Sequence, residues 1–512
     1  MLGGVPAGPA GAGGTLADVV GDLHARLIRW TARQALAATS VTGISLALGI
    51  CAAAWFSAGS RAAELNGCLA LSASYLAAFA AREIAGEAAR GRGRAAWVVT
   101  LGTRLCDIAA LAGLALGALA EGWPGLWPLA VTVLALVAVR ETMTACSGPV
   151  RFGDSPAGRA AAAALAMPAG GRVLLIVATA PIWGPRASLL VLLDWGIIAV
   201  GYGIGSGTAA RRRDRRAPRE RPERSEPGGL AVLLQPARPP ERAEAKAGPA
   251  GQQPIHVLRM ELAPPPRGLS LGDLAPAGDL ASPADTGAAA SPAGGEPGPA
   301  AAAAAAQRQA MVLRCRDDGA IARWLGALVR GQLMPLPPAL LALAAVAMMA
   351  HLGLRDLPGL LILAPALIML VAAPGSSHPH GGRLDWLAPA VLQAAQYTYI
   401  WALGTAAGVP GPVVFALCAV IAVHYADLSS ASSPVLPASR RAWPLLARMT
   451  PGRGACERGA WLGWDGRMII CGLGAAMGIA VFAYLAVAAY LGVLICWKFM
   501  TSSHGVAEGD RR

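Results

Sequence analysis

Charged residues are scarce in this sequence, and their scarcity excludes most soluble folds. Only 14% of the 512 residues are Asp, Glu, Lys or Arg, whereas 55% are hydrophobic. A soluble globular chain is about 25% charged. The deficit arises from repeated apolar runs that approach the roughly 20 residues a helix needs to cross a bilayer. The composition predicts an all-α, polytopic membrane protein of the cell membrane.

The cysteines lack the spacing of metal and redox motifs. None of the nine forms a C-x-x-C pair, and most fall within apolar runs. We interpret them as small buried hydrophobic residues rather than zinc ligands or disulfides. The N-terminus lacks the basic region and apolar core of a signal peptide, so the first membrane helix is expected to direct insertion.

One stretch concentrates the charge that the apolar runs lack. Arg211–Arg224 contains eight arginines directly after an apolar segment. Such a stretch crosses a bilayer with difficulty and is typical of the cytoplasmic side. It serves either as a topology signal or as a contact for anionic lipid headgroups. The net charge of +13 is not accompanied by a nucleic-acid-reading motif, so no nucleic acid partner is expected.

The arginine run opens a linker that divides the chain into two hydrophobic halves. The linker is rich in Pro, Ala and Gly, a composition that cannot bury enough surface to fold, so we predict disorder. The N-terminus and the linker are both expected in the cytoplasm. The predicted divisions are a disordered start at 1–15, a six-helix domain at 16–207, the linker at 208–312, a second membrane domain at 313–500 and a tail at 501–512.

Eleven membrane helices in two bundles are expected from the apolar runs. The first bundle has six, near Thr42–Ser57, Gly67–Ala81, Trp97–Leu119, Leu126–Val139, Val173–Trp183 and Ala187–Gly205. The second has five, near Pro337–Leu352, Leu357–Ala373, Trp386–Leu403, Val413–Val423 and Met468–Trp497. The last run is long for one span and short for a hairpin, and we favour one tilted helix.

Two amphipathic helices are expected to lie on the cytoplasmic membrane surface, one before each bundle. Leu16–Leu36 and Met311–Met334 both alternate apolar residues with arginines. The second contains Asp318-Gly319-Ala320-Ile321-Ala322-Arg323, a D-G-x2-A-R pattern. In the longer motif D-x2-D-G-x2-A-R, a second Asp stands three residues before this pattern, and Cys315 occupies that position here. We therefore interpret the pattern as a coincidence or as a weak, partial match to that motif.

The start of the first bundle resembles the CDP-alcohol phosphotransferases. Leu36-Ala37-Ala38-Thr39-Ser40-Val41-Thr42 is similar to the LTPNxVT segment that begins their first membrane helix, although its Pro and Asn are absent. The resemblance covers roughly residues 20–207. It implies six spans, a cytoplasmic N-terminus and a connection to phospholipid headgroup synthesis.

The family's metal ligands are missing. Its D-x2-D-G-x2-A-R-x8-9-G-x3-D-x3-D motif supplies four carboxylates for two divalent metals, which position the reactants. Aligning A-R on Ala81-Arg82 leaves no acid at any of the four positions, which become Ser74, Ala77, Ala95 and Val99. An alternative register puts Cys106 and Ala110 at the last two, with Asp107 one residue away. The motif therefore does not support a divalent metal, and we predict a catalytically inactive relative.

Three ionisable residues remain inside the first bundle's apolar runs: Arg104, Asp107 and Asp194. Arg104 and Asp107 share a helix face because they lie three residues apart. Charges within a membrane are candidates for function, here a lipid-headgroup or proton site. The structural alternative is an internal ion pair that joins the third helix to the sixth through Asp194.

The second bundle resembles an uncharacterised bacterial membrane domain of unknown function, over roughly residues 313–500. The matching residues are Gly382-Arg383-Leu384-Asp385-Trp386, His424-Tyr425 with Asp427, and Gly463-Trp464-Asp465-Gly466-Arg467. The resemblance implies no known activity.

The predicted topology brings eight polar residues of this half to the cytoplasmic face: His378, His380, Arg383, Asp385, His424, Asp427, Asp465 and Arg467. Imidazoles and carboxylates together can bind a metal or a phosphorylated headgroup. The alternative interpretation is a set of interfacial polar residues and helix caps that share one side of the membrane.

These patterns favour a non-catalytic lipid-binding or scaffold protein linked to phospholipid or envelope metabolism. The alternatives are an active transferase with a non-standard site and, with less support, a transporter. Membrane lipids are the expected partners, and the sequence allows a homodimer.

Overall fold

The structure is a computed structural model, and it describes residues 38–88, 93–123, 125–147, 165, 167–216, 310–329, 334–352, 359–373, 384–430 and 461–509. Every regular element within these stretches is a helix. The predicted all-α class is therefore confirmed. The amphipathic helix predicted at Leu16–Leu36, residues 217–309 of the predicted linker and the end of the tail lie outside the described residues.

The first half forms five helical elements in chain order. They are α1 Ala38–Ser57, α2 Arg61–Ala88, α3 Gly93–Ala120, α4 Trp127–Ser147 and α5 Ala169–Arg216. The fifth and sixth predicted spans are the two arms of α5, which bends at Gly184 (φ 83°, ψ 174°) between Pro181 and Pro185. Only glycine adopts that backbone conformation readily, and a proline removes a helical hydrogen bond. The second arm continues to Arg216, so the arginine run begins inside a helix.

Glycines set the closest packing in the first half, between α1 and α3. A Cβ at Gly113 would overlap the backbone of Ala53, and one at Gly117 would overlap the carbonyl oxygen of Phe56. The two glycines lie four residues apart and so share one helix face, the small-xxx-small spacing that lets membrane helices approach closely.

The second half contributes the remaining elements. They are α6 Ala320–Val329, α7 Leu336–Leu352, a 3-10 turn at Gly359–Leu363 that leads into α8 Ala364–Leu370, a 3-10 turn at Asp385–Leu387 that leads into α9 Ala388–Ala406, then α10 Gly411–Ser429, α11 Gly463–Ala476 and α12 Ala480–Gly509.

Two predicted elements of this half are wrong in detail. The favoured single helix at Met468–Trp497 is two helices, because the chain turns at Gly478, whose φ is +74°. The amide of Ile479 donates to the carbonyl of Gly474 across this turn (2.8 Å), an arrangement that ends a helix. The helix predicted over Met311–Met334 is interrupted at Arg316–Gly319, where Asp317 has a φ of +51°.

The two halves pack as one compact unit rather than as separate bundles. Trp127 of α4 lies against Phe415 of α10, with ring centroids 5.4 Å apart. Trp97 of α3 lies 6.2 Å from Phe499 of α12. Helices α3 and α4 of the first half therefore pack directly against α12 and α10 of the second half.

The outer surface of this unit is apolar. Large side chains such as Leu69, Leu174 and Phe482 are 69–73% exposed. Seven helices of the described chain are long and apolar enough to cross a membrane, and two shorter apolar helices accompany them. Exposed apolar surface on this scale marks contact with lipid, so the chain is an integral membrane protein.

Candidate functional site: the Asp317 cluster

The predicted cytoplasmic site is built where two short segments dock against each other. The segment before α6 carries Asp317, and the segment that begins α11 carries Leu462 and Trp464. The amide of Trp464 donates to the carbonyl of Asp317 (3.1 Å). Asp317 and Leu462 both have left-handed backbone conformations, with φ of 51° and 63°. The docking thus holds two residues in a conformation that side chains disfavour.

Glycine is required at this contact. A Cβ on Gly463 would overlap the backbone of Gly319, and a Cβ on Gly319 would overlap the carboxylate of Asp465. Gly463 also has a φ of +61°. These glycines explain part of the Gly463–Arg467 pattern, because no other residue fits between the segments.

Asp465 caps a helix that is distant in sequence. Its carboxylate accepts hydrogen bonds from the amides of Gly319 (2.7 Å), Ile321 (3.0 Å) and Ala322 (3.0 Å). These amides belong to the N-terminal turn of α6, which has no internal acceptors for them. A carboxylate there also interacts favourably with the helix dipole. Asp465 is therefore fully occupied in positioning α6.

The D-G-x2-A-R pattern acquires a structural explanation from the same docking. Asp318 accepts hydrogen bonds from the indole of Trp464 (2.9 Å) and from Nε of Arg316 (3.0 Å). Nε of Arg323 donates to the carbonyl of Gly319 (3.0 Å). The pattern stabilises the turn before α6 and assembles no acid cluster.

Asp317 is the centre of the buried charges, and we call it, His424, Arg467, Gln396 and Tyr425 the Asp317 cluster. One carboxylate oxygen lies 3.0 Å from Nε2 of His424, and the other accepts a hydrogen bond from Nη2 of Arg467. Burial raises the pKa of Asp317, but the positive charge of Arg467 and the interaction with His424 outweigh it and lower the pKa below its ordinary 3.8. The carboxylate is therefore ionised at neutral pH.

Several donors of the cluster have no acceptor among the described residues. Nη2 of Arg467 also approaches Oε1 of Gln396 (3.4 Å), which accepts from the hydroxyl of Tyr425 (3.1 Å). In the part of the chain that the structure describes, the donors Nε and Nη1 of Arg467 and Nε2 of Gln396 are buried without a hydrogen-bond partner. His424 stacks on Trp461, with centroids 4.3 Å apart. Because buried polar groups are normally satisfied, these donors mark a place for water or for a ligand rich in acceptors.

The other predicted site residues are divided among different contacts. Asp427 accepts hydrogen bonds from Nε1 of Trp97 and from Nζ of Lys498, both at 2.7 Å, and so joins α10 to α3 and α12. Asp385 is half-buried at the start of α9. His378, His380 and Arg383 lie outside the described residues. Of the eight, the structure brings His424 and Arg467 together, through Asp317.

Sequence reasoning missed Asp317, Gln396 and Lys498. Lys498 carried a signal, because it is one of only two lysines in the sequence and ends an apolar run. Asp317 was visible only as the neighbour of the D-G-x2-A-R pattern. Gln396 carried no signal, since an uncharged residue in a helix has no fixed partner until the fold is known.

The charges inside the first half form a second network. Arg104 pairs with Glu141 of α4 and lies 3.6 Å from Asp107. Asp107 pairs with Arg172 of α5, which lies 3.8 Å from Glu141. Asp194 is exposed on the second arm of α5. The ion pairs that join α3 to its neighbours therefore use Glu141 and Arg172, not Asp194.

Two positions that the predicted alignments with the CDP-alcohol phosphotransferases assign to carboxylates, Ser74 and Cys106, make neutral contacts. The hydroxyl of Ser74 donates to the carbonyl of Ser45 (2.7 Å), and the hydroxyl of Ser45 donates to the carbonyl of Ser74 (2.8 Å). Cys106 lies beside both, 3.5 Å from Oγ of Ser74. Across the described residues, no three His, Cys, Asp or Glu side chains are arranged to hold a metal ion.

Comparison with known proteins gives a match in the second half. Residues 302–429, about a quarter of the chain, match a family described as a family of unknown function (DUF5941). This supports the predicted resemblance to a domain of unknown function as far as residue 429, and the matched region includes Asp317, Gln396 and His424. No curated protein and no solved structure matches the chain significantly. The protein is thus an integral membrane protein whose residues 302–429 are similar to that family.

Proposed function

We propose that this protein is a non-catalytic membrane protein that binds a phosphorylated lipid headgroup at the Asp317 cluster. The observation that carries the proposal is the set of buried donors on Arg467 and Gln396 that have no acceptor among the described residues. A phosphate group supplies several strong acceptors and negative charge in one small volume. The alternative occupant is ordered water, which the experiment below separates from lipid.

The unused donors of Arg467, rather than the net charge of the cluster, favour an anion. Asp317 contributes one negative charge and Arg467 one positive charge, so their mutual pairing leaves the cluster near neutral. The unused N–H groups of Arg467 nevertheless lie on the positive side of this ion pair and can donate to an acceptor. A headgroup phosphate reaches them most directly if α10 and α11 meet the cytoplasmic leaflet, as the predicted topology has it.

The absence of catalysis is proposed from the chemistry of the first half. Metal-dependent transfer from a CDP-lipid requires carboxylates to hold the metals. The resemblance to the CDP-alcohol phosphotransferases places neutral Ser74 and Cys106 at two of those positions, and both are engaged in packing α1, α2 and α3. The resemblance thus supports a connection to phospholipids without the reaction.

Two measurements on the purified full-length protein test the proposal. Native mass spectrometry with dioctanoyl phosphatidic acid is expected to show binding that is absent with dioctanoylglycerol. Arg467→Lys keeps the charge facing Asp317 but removes most of the unused donors, so it should weaken binding about tenfold. Arg82→Lys, at an exposed arginine of α2, is the matched control.

Equal binding of phosphatidic acid to both variants would mean that the cluster holds water and not a headgroup. A separate assay would supply CDP-diacylglycerol, Mg²⁺ or Mn²⁺ and candidate alcohols. Metal-dependent release of CMP above background would contradict the non-catalytic part of the proposal.

A further inference from the structure

A buried arginine of the first half belongs to neither charge network. The predicted fourth span ends at Val139, just before Arg140, but the structure places Arg140 inside α4, seven residues before the helix ends at Ser147. At 1.5 Å per residue this is about 10 Å from the helix end. The residue is 2% exposed. A guanidinium is thus held well inside the outer limit of the helical bundle.

Within the described part of the chain, Arg140 has no anionic partner. Its Nη1 donates to the hydroxyl of Thr144 (2.6 Å), whereas Nε and Nη2 are buried and form no hydrogen bond with any described residue. The other buried arginines that the structure describes each pair with a carboxylate: Arg104, Arg172, Arg316 and Arg467. A buried unpaired charge is unfavourable, and buried charges in proteins are normally compensated by a counter-ion.

A glycine of α5 packs closely beside this guanidinium. A Cβ on Gly203 would lie 3.0 Å from Cε of Met143 and 3.5 Å from both Cζ and Nη1 of Arg140, so a glycine is what lets α5 approach the cation. Tyr202, the preceding residue, interacts with Arg140, and its hydroxyl forms a hydrogen bond with Ser206. This contact between α4 and α5, which we call the Arg140 site, therefore combines a cation with hydroxyl groups.

The Arg140 site lies toward the arginine-rich end of α5. Gly203 precedes Arg211 by eight residues, or about 12 Å along the helix. The predicted topology assigns the arginine run beyond it to the cytoplasm. Ile197, on the other side of Gly203 from that run, and the adjacent Ile204 present exposed apolar side chains, at 55% and 41%. Hydrocarbon contact thus adjoins the cation within one helix.

We propose that the Arg140 site binds the phosphate of a membrane phospholipid, with Nε and Nη2 of Arg140 as the donors. A phosphate oxygen supplies the missing acceptor and the negative charge together. The acyl chains lie along Ile197 and Ile204. This site is independent of the Asp317 cluster, since it uses other helices and other residues. Inorganic phosphate offers the same oxyanion and is the second source that the test separates.

The test compares Arg140→Gln with Arg82→Gln, an exposed arginine of the same half, in purified full-length protein. Native mass spectrometry and thermal unfolding would be measured with dioctanoyl phosphatidylglycerol, with dioctanoylglycerol and with inorganic phosphate. Phosphatidylglycerol should bind and raise the Tm, and Arg140→Gln should weaken its binding about tenfold through the lost charge-assisted hydrogen bonds. Saturation by inorganic phosphate at similar concentrations would assign the site to the free ion and overturn the lipid assignment.

Two further variants keep the result interpretable. If Arg140→Gln does not fold, Gly203→Leu places a side chain over the guanidinium and should lower phosphatidylglycerol binding while the arginine remains. Arg140→Lys should retain part of the affinity because it keeps the charge. Equal binding to Arg140→Gln and Arg82→Gln, or equal binding of dioctanoylglycerol, would overturn the proposal. A loss in Arg467→Lys that Arg140→Gln does not share would support the Asp317 site and count against this one.

Discussion

The two halves of the molecule bury charge in different ways. In the second half, Asp317, His424 and Arg467 are 0–6% exposed and lie among docked loop segments and helix ends. In the first half, the network of Arg104, Asp107, Glu141 and Arg172 lies between helices, and the side chain of Glu141 is 37% exposed. The comparison shows that two regions of similarly apolar composition can hold charge differently. One encloses its charged residues almost completely, and the other leaves its charged network partly exposed.

The difference follows from how each network is held. The closed core depends on Gly319 and Gly463, which let two backbone segments come into direct contact. The open network depends on long side chains that reach between α3, α4 and α5. Long side chains lose conformational entropy when they are fixed and can relax toward a neighbouring partner. We therefore expect the second half to be the more sensitive to substitution.

The first prediction concerns the side on which each half ends. We predict that α11 and α12, which are separate helices, each cross the membrane, which gives both halves an even number of crossings. Each half should then begin and end in the cytoplasm. A reporter fused after Arg512 should therefore signal the cytoplasm, and reporters inserted after Glu121, Gly408 and Gly478 should signal the opposite side. Paired alkaline phosphatase and green fluorescent protein fusions measure this. A non-cytoplasmic C-terminus would restore an odd number of spans to the second half.

The second prediction tests the contact between backbone segments. Gly463→Ala introduces a Cβ that overlaps Gly319 and stands at a φ of +61°, so the segments cannot dock as they do. Substitution at a left-handed, tightly packed glycine should cost at least the 1–3 kcal/mol typical of backbone strain. Fluorescence-detected size exclusion should show loss of the monodisperse species. Gly43→Ala in α1, where nothing lies within 4 Å of the new Cβ, should have no such effect.

The third prediction compares the two networks directly. Asp317→Asn leaves Arg467 buried without its counter-ion, which should destabilise the protein by about 3–5 kcal/mol. Glu141→Gln should cost about 0–1 kcal/mol, because Glu141 is partly exposed and Asp107 remains near both arginines. Thermal unfolding of both variants in the same detergent measures the difference. Equal shifts in Tm would mean that the first-half network is as closed as the second.

Much of the fold could be predicted from the sequence, because apolar run length and arginine placement are local signals. The first four spans and the glycine and proline bend of α5 follow from such signals. The hairpin at Gly478 could not be predicted, since a glycine in an apolar run is compatible with close packing or with a turn. The roles of Asp465 and Asp427 could not be predicted from the sequence either. Their partners, α6 and Lys498, are more than 70 residues away, and no local pattern specifies such a contact.

The smallest expected effect is the acid dependence of the closed core. The pKa of Asp317 is lowered in the folded protein, because Arg467 and His424 outweigh the effect of burial. A group with a depressed pKa contributes stability that is complete above its unfolded pKa, 3.8, and that is lost as the pH falls through the lower folded value.

The Tm difference between wild type and Asp317→Asn should therefore stay constant from pH 7 to 5 and shrink below pH 3.8. Glu141→Gln, measured in parallel, controls for general acid unfolding of the detergent-bound protein. A difference that already shrinks between pH 7 and 5 would show that a group other than Asp317 controls the stability of the cluster. In that case the charge of Asp317 would not determine the stability of the second half. The difference between the two networks would then be explained by the contact between Gly319 and Gly463 instead.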